Sequence, residues 1–167
     1  MKRTPRQEKR KESLPVSDAA DAPLFPPEEI CAQAQSNAAA WILTIIAYLK
    51  ERGGAVEDCV AYHGRIFAPA WEELRGHPVE EVAQLVALNV LSVGSTLRSL
   101  SSEEGRAEML VEGWPDEDLL GFLPLDRDEC DRIWDTYGPI MEHLGLGYAW
   151  RREDDAVRIV IERQDGR

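Results

Sequence analysis

The chain predicts an α+β domain, with N-terminal helices and a long helix in the C-terminal half packed on an antiparallel sheet of two hairpins. Three observations carry this. Apolar residues recur at helical spacing over residues 56–74, 79–90 and 130–144. Residues 95–113 and 146–161 instead alternate apolar and polar positions about polar turns. The two strand pairs are separated by helix, an order that closes into an antiparallel sheet without any strand–helix–strand crossover.

The first helix is expected to open at Pro26-Pro27, where Glu28 and Glu29 meet the positive end of the helix dipole, and to stop at Gly53-Gly54 after Lys50 and Arg52. Between Ala38 and Leu49 it is apolar in almost every direction, so it belongs either to the centre of the core or to a subunit interface. A second helix starts near Val56. Its stripe of Val56, Cys59, Val60, His63, Phe67, Ala70, Trp71 and Leu74 contains Pro69, which predicts a kink or break near Phe67. His77-Pro78 opens a third helix that Gly94 stops.

The spacing then predicts strands over 95–100 and 106–113, joined by a five-residue connection from Ser101 to Gly105. A short acidic helix over 116–122 precedes the clearest element. There Asp126 and Glu129 form a capping box, and Cys130, Ile133, Trp134, Tyr137, Ile140, Met141 and Leu144 keep helical spacing up to Gly145, with a kink expected at Gly138-Pro139. Leu146, Tyr148 and Trp150 then alternate, turn at Glu153-Asp154-Asp155, and return through Val157, Ile159 and Ile161.

With 167 residues, 44% apolar and 30% charged, the chain has the balance of one folded domain over 26–167 with a basic, Pro-containing, poorly ordered tail over 1–25. Nineteen Lys and Arg against 31 Asp and Glu give a net charge of −12, which disfavours nucleic-acid binding by the folded part. No apolar signal core follows the basic N-terminus, and the longest apolar run has 12 residues, too few to span a bilayer. The expectation is a cytoplasmic protein with no membrane partner. Cys31, Cys59 and Cys130 are widely spaced, each within a predicted helix, and are expected to be free, reduced and buried.

Catalytic and metal patterns are thin. His63, His77 and His143 have no ligand spacing among them, and counting an EF-hand from Asp126 puts Asp131 and Tyr137 where Gly and Glu are needed. The acids 126, 128, 129 and 131 are better read as first-turn residues of a helix. Cys59 and His63 share a helix face at i, i+4, yet an apolar stripe opposes charge on both. Aromatics say more. Trp41, Trp71, Trp134 and Trp150 fall on core-facing stripes, and they serve either packing or the wall of a cavity between helices and sheet, with His63, Tyr62 and Tyr148 as its polar groups. His63 is either a core histidine bonded within the protein or the polar contact at the floor of such a pocket, with Tyr62 or Trp71 beside it and Gly64 allowing a close backbone approach.

The helices, the run Ala107 to Pro115 (AEMLVEGWP), the long helix and the run Gly145 to Trp150 (GLGYAW) with its closing hairpin resemble one group of small bacterial domains. These are the 4-vinyl reductase type ligand-binding domains and the L-2-amino-thiazoline-4-carboxylic acid hydrolase-like proteins. Trp114 stands where members of that group often carry Cys before the proline, and the last hairpin lacks the Cys many place there, so no functional residue is carried over. The resemblance implies an α+β domain that binds a small molecule.

The leading expectation is therefore a ligand-binding sensor or accessory domain without its own catalysis, taking a small, partly apolar ligand at His63, Tyr62, Trp71 and Tyr148. The sequence names no cofactor. The alternatives are a small hydrolase of the type just named and a ligand-free structural protein that dimerises. A homodimer through the first helix is expected in any case, because a thin two-layer domain cannot hide all faces of that helix.

Overall fold

The computed structural model describes residues 25–164, so the predicted tail lies outside the described residues except for Phe25. The helical first half consists of α1 (Pro27–Glu51), α2 (Val56–Phe67), a 3-10 segment (Ala68–Leu74) and α3 (Val79–Leu91). The second half runs β1 (Thr96–Glu103), β2 (Arg106–Glu112), α4 (Glu117–Leu120), α5 (Arg127–Asp131), a second 3-10 segment (Arg132–Thr136), α6 (Tyr137–Leu144), β3 (Leu146–Glu153) and β4 (Ala156–Arg163). The four strands form one antiparallel sheet in the order β1-β2-β4-β3, with helices on one face. This is the α+β architecture that the periodicity predicts.

The sheet's two sides differ as strand alternation requires. Ala107, Met109 and Val111 of β2 and Val157, Ile159 and Ile161 of β4 face the helices and are almost completely buried. Val82, Val86 and Val90 of α3 and Leu43 of α1 meet them in one continuous core. Each of the Val, Leu, Ile and Met side chains contributes about 1.5–3 kcal/mol by leaving water. The opposite side carries a lattice of ion pairs in which Arg158 holds Glu108 and Glu153, and Arg106 holds Glu108. Hydrogen bonds from Arg158 and then Arg151 bring the Glu153 carboxyl down to about 2. Solvent screens these pairs, so their contribution is to cross-strand register more than to stability.

Breaks fall where backbone chemistry puts them. Pro69 ends the regular turns of α2 at Phe67, as the sequence predicts, and the chain continues as a 3-10 segment. The capping box also forms, with Glu129 N donating to Asp126 Oδ1 at 2.9 Å and Asp126 N donating to Glu129 Oε2 at 2.8 Å. Glu129 also receives Lys50 Nζ, which donates to the Pro124 carbonyl as well and ties the end of α1 to the start of α5.

Several expectations need correction. The single long helix over 126–144 is three short pieces, α5, a 3-10 segment and α6, because Pro139 has no N–H for the Asp135 carbonyl and because β3 grips the middle piece. The five-residue connection is the two-residue turn Glu104-Gly105, with Gly105 at φ +78° and Glu103 paired to Arg106. Ser101 and Ser102 are polar because β1 is an edge strand with exposed side chains. Trp41 is 71% exposed and not in the core, and Cys31 is exposed while Cys130 alone is fully buried.

These last two corrections share a cause. α1 buries only a narrow line of Ala39, Leu43, Ile46 and Ala47, and its first two turns stand clear of the body, with residues 27–34 all exposed. At 25 residues, α1 is also long and apolar enough to cross a membrane by length and composition alone.

Candidate functional site

The site begins with a glycine. α2 packs through the small-residue line Val60, Gly64 and Ala68, which is buried, and not through the greasier stripe to one side of it. A Cβ on Gly64 would stand 2.3 Å from the Thr136 carbonyl oxygen and 3.1 Å from Pro139 Cγ. Only glycine lets the two backbones come this close. The line of contact therefore rotates away from His63 and Phe67, and both are exposed, with their rings edge-on at 4.6 Å.

Because α2 is drawn toward the 132–139 segment, a cavity of about 390 Å³ remains between α1, α2, the end of α3 and the second 3-10 segment. Ile42, Ile46 and Leu49 of α1, Val56 and Val60 of α2, Val90 and Val93, and Ile133 form its aliphatic wall. Ile45 and His63 line it and are also exposed, so they mark its mouth. Larger hollows of about 750 Å³ beside the first turns of α1 and about 630 Å³ beside the β1–β2 turn lie among exposed side chains, and they lack such a wall.

The polar groups around the cavity are few and mostly occupied. Asn89 donates its amide to the Leu85 carbonyl at 2.9 Å, and the Ser92 hydroxyl donates to the Asn89 carbonyl at 2.6 Å. Burial pushes the Tyr137 phenol above its ordinary range, so it stays neutral. Trp134 is different. It is 2% exposed, and its indole Nε1, sealed from solvent and from the cavity alike, has no hydrogen-bond partner among the described residues. A buried N–H left in that state costs about 1–3 kcal/mol. Cys59, half-buried, completes the polar set one turn before His63.

Trp134 is held in place from behind by β3. The inward-facing alternation of Tyr148, Trp150 and Arg152 delivers three side chains to the 131–135 segment. The Tyr148 hydroxyl donates to the Trp134 carbonyl at 2.8 Å, and Trp150 Nε1 donates to Asp135 Oδ1 at 2.7 Å. Arg152 donates through Nε and Nη2 to the two oxygens of Asp131, each at 2.5 Å, and through Nη2 to the Trp114 carbonyl at 2.9 Å. Asp131 is thus a buried counter-ion at the end of α5, not a solvated first-turn acid.

The predicted site residues end up in three places. His63 reaches the cavity, at its mouth and not its floor. Trp71 and Tyr148 flank Tyr137, their rings 6.3 Å and 6.0 Å from its ring, so they lie beyond the wall that Tyr137 forms. Tyr62 is 59% exposed on α2 and does not line the cavity. The cavity lies among helices and not between helices and sheet. Trp134 lines the cavity, the one of the four tryptophans offered as its wall that does, and Tyr137 and Cys59 are lining residues that the site reading missed. Helical spacing marked all three as inward but did not tell a packed interior from a hollow one. Among the described residues, no three His, Cys, Asp or Glu converge as metal ligands. No protein-family model matches this chain, and no curated protein matches it either.

Proposed function

We propose that this domain binds a small, partly apolar molecule in the cavity between α1, α2 and the second 3-10 segment. The observation that carries this reading is the 390 Å³ hollow with an aliphatic wall, two aromatic side chains, Trp134 and Tyr137, and an exposed histidine at its mouth. Ligand pockets have this build, a large apolar surface with a few placed polar groups. The resemblance to small-molecule-binding bacterial domains points the same way.

A neutral fluorescent probe of suitable size, N-phenylnaphthylamine, tests it. The wild-type protein is expected to bind one probe per chain, and Cys59→Phe, which fills the cavity, is expected to weaken binding at least tenfold. His63→Phe is expected to weaken it severalfold while leaving Tm within about 2 °C, since the residue is exposed. Equal probe affinity in all three proteins would overturn the assignment. A large loss of stability in His63→Phe with binding unchanged would remove His63 from the site.

A second observation favours self-association as part of the same function. Ile30, Trp41, Ile45 and Tyr48 lie on one side of α1 and are 56%, 71%, 47% and 55% exposed. Between Glu29 and Lys50 the helix carries no charge, in a chain whose net charge is −12. Two copies of so acidic a molecule repel one another over most of their surface and least along this seam. The occupant we propose for this face is a second copy of the chain, related by a two-fold axis. Trp41→Glu is expected to convert a dimer to a monomer in light scattering at about 50 µM, with the melting curve of the domain largely preserved. A wild-type monomer at that concentration would contradict the dimer.

A further inference from the structure

Two residues of the cavity carry chemistry that holding an apolar body does not use. Cys59 and His63 both line it and stand four residues apart on α2. Side chains at that spacing share a helix face, with Cβ atoms about 5–6 Å apart, so an imidazole reaches a thiol directly or through one water. Burial does not oppose charge here as a packed apolar stripe would, because His63 is exposed and Cys59 only half-buried. Among the described residues no Asp or Glu lines the cavity, so no carboxylate within it opposes a thiolate. Glu57 and Asp58, in the first turn of α2, lie outside the lining, and Glu57 faces Arg132 at 3.6 Å. The Asn89 amide and the Ser92 hydroxyl are already bonded within α3 and its C-terminal turn. The other two cysteines lack this setting. Cys130 is fully buried, and burial first, then Asp131, Asp126 and Glu129, push its thiol up to about 12. Cys31 stands exposed on the free turns of α1 and lines none of the hollows described above.

From this we infer that Cys59 is a covalent attachment site for an apolar α,β-unsaturated carbonyl compound, held by the aliphatic wall while His63 takes the thiol proton. A thiol is a weak hydrogen-bonding group but a strong nucleophile once ionised, so it contributes more to bond formation than to recognition. In the step, Cys59 Sγ bonds to the β-carbon and the carbon–carbon π bond opens to an enolate. The proton that His63 took from sulfur then passes to the α-carbon. Nothing leaves, the addition is redox-neutral, and no further reactant is needed. The inference rests on the cavity being the binding site.

1-Octen-3-one and but-3-en-2-one make the test, because they share one vinyl ketone group and differ in the length of the alkyl chain behind it. Each is incubated with the wild-type chain, and adducts are located and timed by peptide mass spectrometry. Cys31, exposed and outside the cavity, is the internal reference. The ratio of the Cys59 rate to the Cys31 rate is expected to be at least tenfold higher with 1-octen-3-one than with but-3-en-2-one. Modification of Cys59 by the long ketone is expected to saturate with its concentration and to be suppressed by N-phenylnaphthylamine. His63→Gln, a change at an exposed residue, is expected to lower the saturated rate at Cys59 at least fivefold and to leave the rate at Cys31 unchanged. The ratio is read on wild-type protein alone, so the test does not depend on a variant that folds. Equal ratios for the two ketones, while the probe still binds, overturn the attachment site and leave the cavity standing. A saturated rate unmoved by His63→Gln overturns the proton transfer to His63. Failure of the probe itself to bind overturns the cavity reading and this inference with it.

Discussion

Asp131→Ala is expected to destabilise the domain by about 3–5 kcal/mol, the usual cost of removing one partner from a buried ion pair. Asp131 is 2% exposed and the Arg152 side chain 17%, so the guanidinium left behind is poorly hydrated. One of its nitrogens, Nη1, is already buried without a partner among the described residues. The substitution also cuts the link from β3 to α5 and loosens the Trp114 carbonyl that Arg152 holds. The expected reading is a fall in the urea midpoint with little change in slope. The double variant Asp131→Leu/Arg152→Met is expected to recover most of the loss, because apolar side chains of similar volume often replace a buried pair at little cost. A loss under about 1 kcal/mol in Asp131→Ala would show that water reaches the pair.

Gly64→Ala is the second large effect, about 3 kcal/mol at the upper end of overpacking costs. The added methyl meets a backbone oxygen at 2.3 Å and the Pro139 ring at 3.1 Å and 3.2 Å, and neither can swing aside as a flexible side chain would. α2 has to lift off the 132–139 segment, which changes the wall of the cavity. Probe binding is therefore expected to fall together with stability. Gly138→Ala serves as the control: beyond its chain neighbours nothing stands within 4 Å of its Cβ position, and the residue is helical. It is expected to cost about 1 kcal/mol at most, because the gain from the better helix former is offset by crowding between the new Cβ and the ring of Pro139 that follows it. Equal melting temperatures for the two alanine variants would contradict the close approach at Gly64.

Much of this architecture is legible in the sequence wherever a pattern is local. The alternation of Tyr148, Trp150, Val157, Ile159 and Ile161 marks the terminal hairpin, and Asp126 with Glu129 marks a helix start, because both depend on near neighbours in the chain. The break in the 126–144 helix is less legible. Cys130, Trp134, Met141 and Leu144 are buried whether the helix is continuous or in three pieces, so burial pattern alone does not distinguish the two. What decides it is long-range, the three donors that β3 brings to residues 131–135. The same limit applies to α1, where Trp41 and Leu43 look equally apolar in sequence and one is 71% exposed while the other is fully buried.

Site reading follows that rule. His63 was identified by its polarity on a greasy stripe, and Gly64 by the space a missing side chain leaves; both lie where α2 meets the cavity or its supporting segment. The stripe itself misled, since small residues and not large ones mark the face where two backbones touch. Trp134's lack of an acceptor cannot be inferred from sequence at all, because it depends on everything packed around the ring.

The most direct measurement is a two-dimensional NMR titration of the isotopically labelled full chain with N-phenylnaphthylamine, following backbone amides, isoleucine methyls and indole N–H groups. The account predicts one saturable set of shifts centred on Ile46, Cys59, Val60, Ile133 and Trp134, around the lining of the cavity. Shifts that fail to saturate, or that gather on Trp41 and Tyr48 along the outer face of α1 while the cavity residues stay still, would contradict it.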